Sequence, residues 1–188
     1  MITVFFDFET GGVEPQHPSI EIGAVAMENG RELSAFESVI SFKPSECSPE
    51  ALALNHYDPA RWSDAPTAPV VAARFAAWLK PFQAVTLTSK RTGRAYTVAR
   101  MAGYNVGFDG PRLKALFGNG FMPCELLMRD VLQVALFYFD ARGERLENFK
   151  LTTVAQHFGI ATDGAHGALA DARMTAAVYQ ALIETMDI

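Results

Sequence analysis

The sequence predicts an α/β fold: a mixed central sheet, its first three strands antiparallel and the later ones parallel, flanked by helices and carrying an inserted basic β-hairpin. Three observations support this. The N-terminal part holds three strand-like runs joined by short connections, the pattern of an antiparallel meander. The remainder interleaves strand-like and helix-periodic segments, which implies helices layered on a mixed sheet. With 188 residues, 49% of them hydrophobic, the chain can bury a sizeable core and fits a single domain over 1–188.

Thr3 to Thr10 reads as a strand because β-branched and aromatic residues dominate it, with Val4, Phe6 and Phe8 alternating against Phe5, Asp7 and Glu9. Ile20 to Met27 and Phe36 to Phe42 repeat the pattern, with the turn signal Glu28-Asn29-Gly30 between them. Ser48 before Pro49 is an N-cap signature for a short helix through about Leu54. Val71, Phe75, Trp78 and Leu79 share one face of a helix that follows Thr67 and stops at Pro81.

Gln83 to Arg100 is predicted to be a hairpin with a basic tip, Ser89-Lys90-Arg91-Thr92-Gly93-Arg94, and it holds four of the sixteen Lys and Arg residues. A strand over Met101 to Tyr104 follows, then helices around Arg112 to Phe117 and Val131 to Phe139. Leu151, Val154, Ala155 and Phe158 predict a helix ending at Gly159, and Ala168 to Met186 the last one.

A net charge of −5 announces no overall basic field for a polyanion, although local patches are compatible with one. Two cysteines, Cys47 and Cys124, lack zinc-site spacing and are too few for a disulfide framework, which fits a reducing cytoplasm. The start Met1-Ile2-Thr3-Val4 lacks a signal-peptide pattern and no apolar run reaches membrane-spanning length, so no membrane association is expected.

Three segments carry candidate chemistry. In Asp7-Phe8-Glu9 the period of two puts both carboxylates on one strand face, their Cα atoms roughly 6.5 to 7 Å apart. The face of Val4, Phe6 and Phe8 is expected to be core, and the acidic face the floor of a cleft. Two like charges there repel and are costly to bury without a compensating cation. In His166-Gly167-Ala168-Leu169-Ala170-Asp171, histidine lies on a glycine-flanked loop and aspartate about one turn into a long helix. If that helix crosses the strand edge, Asp171 completes a cation site with Asp7 and Glu9, and His166 stands beside it to take a proton from water. In Gly103-Tyr104-Asn105-Val106-Gly107-Phe108-Asp109 a strand ends in a glycine-bearing turn. Asp109 reads equally as a metal-shell acid and as a helix N-cap before Gly110-Pro111. Asn105 fits either a backbone bond or a reach to phosphate or sugar. Each segment alone has an ordinary structural reading: a solvated strand face, an acid favouring a helix N-terminus, a cap.

Together, the order, residue types and spacings of Asp7-Phe8-Glu9-Thr10, Asn105 to Asp109 and His166-x4-Asp171 resemble the DEDDh branch of the 3′→5′ exonucleases, over nearly the whole chain. The resemblance implies a ribonuclease H-like fold. It also implies a two-metal-ion phosphodiesterase releasing 5′-mononucleotides from DNA or RNA with a free 3′ end. Asp7, Glu9 and Asp171 would bind Mg²⁺ or Mn²⁺ directly, Asp109 would act on the second ion through water, and His166 would be the general base. Activity should then rise with pH through the range of an ordinary imidazole, about 6.5. Thr10, the Gly11 backbone and Asn105 would hold the 3′ end, Phe108 would lie near the substrate, and Lys90, Arg91 and Arg94 would contact the upstream backbone. The stretch Gly11-Gly12-Val13 departs from the family pattern of a second threonine before the glycine and a leucine after it, which puts terminal-nucleotide contacts in doubt. The longer hairpin and an end at Ile188 without a polymerase-binding tail lead us to expect a stand-alone enzyme.

Asp130-Val131-Leu132-Gln133 has capping-box form, assigning Asp130 to helix initiation rather than catalysis. His17, His56 and His157 lack partner motifs, and Trp62, Trp78 and most phenylalanines read as core. Two other readings stay open: a phosphohydrolase acting on short or free nucleotides, and a non-catalytic nucleic-acid-binding module of the same fold.

Overall fold

In the computed structural model, which describes residues 1–186, the chain folds around a five-stranded mixed sheet. Asp187 and Ile188 lie outside the described residues. Strand β1 (Thr3–Thr10) pairs antiparallel with β2 (Ser19–Glu28), which pairs antiparallel with β3 (Arg31–Val39). Asn29 and Gly30 both take positive φ, 50° and 76°, as a two-residue hairpin turn requires. That turn starts the pairing at Glu28 opposite Arg31. Strand β3 therefore begins earlier than Phe36 and ends at Val39, and Phe42 leaves the sheet to pack edge-on against Tyr57 and Trp62.

Beyond β3 come α1 (Pro49–Leu54), α2 (Pro59–Trp62) and α3 (Ala68–Leu79). The Ser48 hydroxyl accepts from the Ala51 amide at 3.1 Å, the cap its sequence signals. The single turn α2, capped by Asp58, is too short for periodicity to reveal. A separate two-stranded sheet, β4 (Val85–Thr88) and β5 (Ala95–Val98), is the predicted hairpin. It leads into β6 (Met101–Gly103), which lies parallel to β1 on the side opposite β2.

Helix α4 (Val106–Phe117) starts well before Arg112 and contains Pro111 in its second turn. Asn105, at φ 60°, makes the sharp turn from strand to helix, and its amide donates to Asp130 Oδ1 at 3.0 Å. Strand β7 (Arg129–Asp130) is a parallel edge of two residues. Asp130 then caps α5 (Val131–Arg142), accepting from the Leu132 amide at 3.1 Å. Helices α6 (Leu151–His157) and α7 (Ala168–Thr185) complete the fold in the order β3-β2-β1-β6-β7.

The sheet is covered on both faces. Val4, Phe6 and Phe8 pack with Ile22, Val71, Phe75 and Leu113 under α3 and α4. Phe5 and Val25 pack with Val131, Val154, Val178 and Leu182 under α5, α6 and α7. Each such side chain removed from water contributes about 1.5–3 kcal/mol, so β1 is a fixed central rail. The C-terminal end of its Phe5-Asp7-Glu9 face, beyond the short β6, opens to a cleft. Among the described residues no helix is long and apolar enough to cross a membrane.

Candidate active site

Asp7 and Glu9 occupy the last half of β1, across from Gly23 and Glu21 of β2. Gly23 decides what stands above them. A Cβ at that position would lie 2.1 Å from the Leu169 amide nitrogen and 2.2 Å from the Ala168 carbonyl carbon. The missing side chain thus lets the first turn of α7 settle directly on β2, one strand over from Asp7. Asp171, the fourth residue of that helix, is carried to the sheet, and single carboxylate oxygens of Asp7, Glu9 and Asp171 lie within 4.8 Å of one another.

Asp171 is held from behind. Its Oδ2 accepts the His166 backbone amide at 3.3 Å, while Oδ1 is buried with no hydrogen-bond partner among the described residues. A buried acceptor left bare is costly unless something absent from the polypeptide satisfies it. His166 itself has φ 69°, is exposed, and precedes Gly167, the N-cap of α7.

Asp109 is not the helix cap that its local sequence allows; Asn105 holds that position. The side chain of Asp109, 3% exposed, is turned inward, and Oδ1 accepts the Phe8 amide at 3.2 Å. Strand β6 pairs only with Val4 and Phe5, so Phe8 has no strand partner on that edge. Asp109 supplies the missing acceptor and so ties α4 to the end of β1 between Asp7 and Glu9.

Four acids in so little space strain their own ionisation. Burial, then the charges of Asp109, Glu9 and Asp171, holds the Asp7 carboxyl well above the usual carboxylate range. Burial and Asp171 push Glu9 up to about 8. Burial raises Asp109 to about 7 against the opposing Phe8 amide and the Arg112 charge, and it also raises Asp171. A cation is the natural remedy, and a donor set made only of carboxylate oxygens suits a hard divalent ion.

These residues line a cleft of about 780 Å³ that brings together Asp7, Glu9, Asn105, Phe108, Asp109, His166 and Asp171. Other predicted residues fall elsewhere. Thr10 is buried, and its hydroxyl donates to the Gly12 carbonyl at 2.8 Å. The Gly11 amide donates to Pro18 O at 2.8 Å, and its carbonyl accepts from Ser48 N at 2.7 Å. These bonds brace the end of β1 and engage the Thr10 hydroxyl proton and the Gly11 amide. Lys90, Arg91 and Arg94 are outside the lining: the hairpin springs from the start of β6, the end of that strand away from the carboxylates. Conversely, the cleft includes Tyr104, which lies in the candidate segment Gly103 to Asp109 but carried no predicted role, and Lys150, which no motif marked. The Tyr104 hydroxyl donates to Phe149 O at 2.7 Å, fixing the wall that presents Lys150.

Residues 4–91, which include Asp7 and Glu9, match the family model described as exonuclease. The matched segment covers just under half of the chain. Asp109, His166 and Asp171 lie beyond the matched segment. The chain is 27% identical over 184 residues to a PolC-type DNA polymerase III of Caldanaerobacter subterraneus subsp. tengcongensis. The alignment spans 97% of the chain but 12% of that polymerase. Among solved structures, the zinc-bound E. coli exonuclease I complex with single-stranded DNA superposes with a TM-score of 0.71 at 20% identity, over 98% of this chain and 40% of that one. The nuclease domain of 3′hExo, a DEDDh family member bound to rAMP, superposes with a TM-score of 0.73 at 16% identity, over 98% and 92%. At these identities the structural likeness establishes the ribonuclease H-like fold, the mixed sheet and flanking helices expected from the sequence.

Proposed function

We propose that residues 1–188 act as one DEDDh-type 3′→5′ exonuclease domain, with 83–100 as its inserted hairpin, hydrolysing phosphodiester bonds of DNA or RNA and releasing 5′-mononucleotides. The observation that carries this reading is the meeting of Asp7, Glu9 and Asp171 oxygens within 4.8 Å, with one Asp171 oxygen, Oδ1, buried and bare. Asp7, Glu9 and Asp171, with Asp109 behind them, would hold two divalent cations, Mg²⁺ or Mn²⁺. When bound, such ions would offset phosphate charge, acidify a water and stabilise the leaving 3′-oxygen.

The remaining work falls to the chain itself. His166, on the exposed rim, accepts the proton of the attacking water, for which its imidazole must begin neutral. The bond from its backbone to Asp171 couples the placement of the base to that of the acid cluster. Phe108 and Tyr104 offer aromatic walls, Asn105 a polar one, and Lys150 a positive charge for a phosphate entering the cleft. The neighbours bound to single-stranded DNA and to rAMP support a nucleic-acid strand and its nucleotide unit as ligands.

The test is degradation of 3′-labelled single- and double-stranded DNA and RNA with Mg²⁺ or Mn²⁺, beside nucleoside triphosphates as the competing substrate class. Stepwise release of 5′-mononucleotides, lost in Asp7→Ala while 3′-end binding persists, is expected. Equal degradation by Asp7→Ala, or turnover confined to free nucleotides, would overturn the proposal.

A further inference from the structure

A second groove lies away from the cleft, beside the inserted hairpin. The register pairs Val85 with Val98 and Leu87 with Tyr96, and the Ser89 amide bonds to Arg94 O at 3.0 Å, which continues the ladder by one step. Alternation puts Val85, Val98, Leu87, Tyr96 and Arg94 on one face, and Thr86, Thr88, Ala95 and Thr97 on the other. The hairpin is therefore amphipathic, with a cation at the outer end of its apolar face.

That face borders a groove of about 400 Å³ whose far wall is formed by Phe121, Leu126 and Leu127. Phe121 meets the Tyr96 ring at 5.8 Å, edge to face, and closes one end. Phe121, Leu126 and Leu127 are 65%, 75% and 84% exposed. Side chains this apolar, contiguous and open mark an interaction surface rather than ordinary surface scatter. The one acid lining the groove, Glu125, is buried and ion-paired to Arg129. Among the described residues, no carboxylate stands within ion-pair distance of Lys90, Arg91 or Arg94. The groove thus offers apolar seats, with Arg94 at the outer end of the same hairpin face and Lys90 and Arg91 in the adjoining tip.

We infer that this groove binds an acidic peptide segment of another protein, its large apolar side chains seated against Tyr96, Phe121, Leu126 and Leu127 and its carboxylates on Arg94, Lys90 and Arg91. Charge complementarity selects an acidic partner. Phe121 and Tyr96 meet edge to face rather than as parallel platforms, and the most exposed wall is Leu126 and Leu127, which disfavours unpaired bases as the occupant. The hairpin stands at the end of β6 away from the carboxylates, and its groove shares no lining residue with the cleft.

The experiment selects a random phage-displayed peptide library on the full chain, with counter-selection on Leu126→Ser/Leu127→Ser. Both leucines are so exposed that their truncation leaves the fold intact, which an unchanged melting temperature checks; Phe121→Ser serves as a second variant. Enriched peptides should be net acidic with at least two large apolar residues. Synthesised with a fluorophore, they should bind more weakly as salt rises, and about tenfold more weakly to Leu126→Ser/Leu127→Ser and to Arg91→Glu/Arg94→Glu. Four results would overturn the inference: no enrichment, or peptides without acidic character; equal binding by the variants; a fluorescent oligonucleotide, not the peptide, being the ligand lost on charge reversal; or self-association abolished by the leucine variant.

Discussion

Replacing Gly23 with alanine tests whether the acid cluster is assembled by the close seat of α7 on β2. An added Cβ would lie 2.1 Å from Leu169 N, whereas real Cβ contacts essentially never fall below 3.0 Å. The obstructing atoms are helix backbone, so no side chain can swing aside. The first turn of α7 must retreat by about 1 Å, and β2, paired on both edges, is the less yielding partner. Overpacking of this kind costs about 1–3 kcal/mol. The consequence for function is larger than for folding, because Asp171 and the His166 loop ride on the displaced turn. A misplacement near 1 Å costs on the order of 10²-fold in turnover. Steady-state kinetics on a labelled oligonucleotide should therefore show kcat lowered about a hundredfold with KM much less changed, in a protein that still melts cooperatively. Wild-type kcat and melting temperature in Gly23→Ala would refute the close-seat argument outright.

Three other outcomes follow. Because the folded-state pKa values of Asp7, Glu9, Asp109 and Asp171 are raised, the cation-free protein should keep its full stability below about pH 4.5 and lose it as pH rises to about 8, where Glu9 ionises. The raise of Glu9 alone corresponds to about 5 kcal/mol, or of order 10 °C in melting temperature. Thermal melts in chelator should show this slope and Mn²⁺ should remove it; a flat chelator profile would contradict the electrostatic picture. Asp109→Asn keeps an oxygen for the Phe8 amide but no charge, so turnover should fall with little change in stability. Asp109→Ala should also lose about 1–3 kcal/mol in denaturant melts. His166→Asn, which tolerates the left-handed backbone, should lower kcat by about 10²–10⁴-fold. Wild-type kcat in that variant would remove histidine from the base role.

Much of the site was legible because strand and helix periods are local rules. The two-residue period of β1 fixes Asp7 and Glu9 on one face before any tertiary contact is known, and the Ser48 and Asp130 caps announce themselves by residue type. What escaped depended on contacts distant in sequence. Asp109 could not be told from a helix cap locally, because the deciding fact is an amide at Phe8 left free where β6 ends. Thr10 and Gly11 looked available until Gly12 and Pro18 were seen to engage the Thr10 hydroxyl proton and the Gly11 amide. Gly23 sits inside an apolar strand with nothing to mark it. Its one available signal was a glycine in a run of Ile22, Ala24 and Val25, where a bare position usually means that another backbone comes close.

The escape of Gly23 and the legibility of the acids have one cause. Carboxylates are placed by elements that form on local information, but whether they form a site depends on how near α7 can approach β2. Moving α7 outward by one methyl group would leave every motif residue in its sequence position and relax the crowding that raises Glu9 and Asp7. Such a protein would fold more comfortably without a cation and hold one less well. The close seat therefore trades stability of the empty cluster for affinity toward the ion, and Gly23→Ala should shift both in opposite directions. In chelator at pH 8 its deficit in melting temperature should be smaller than in saturating Mn²⁺. Equal deficits in the two conditions would mean that the glycine serves packing alone.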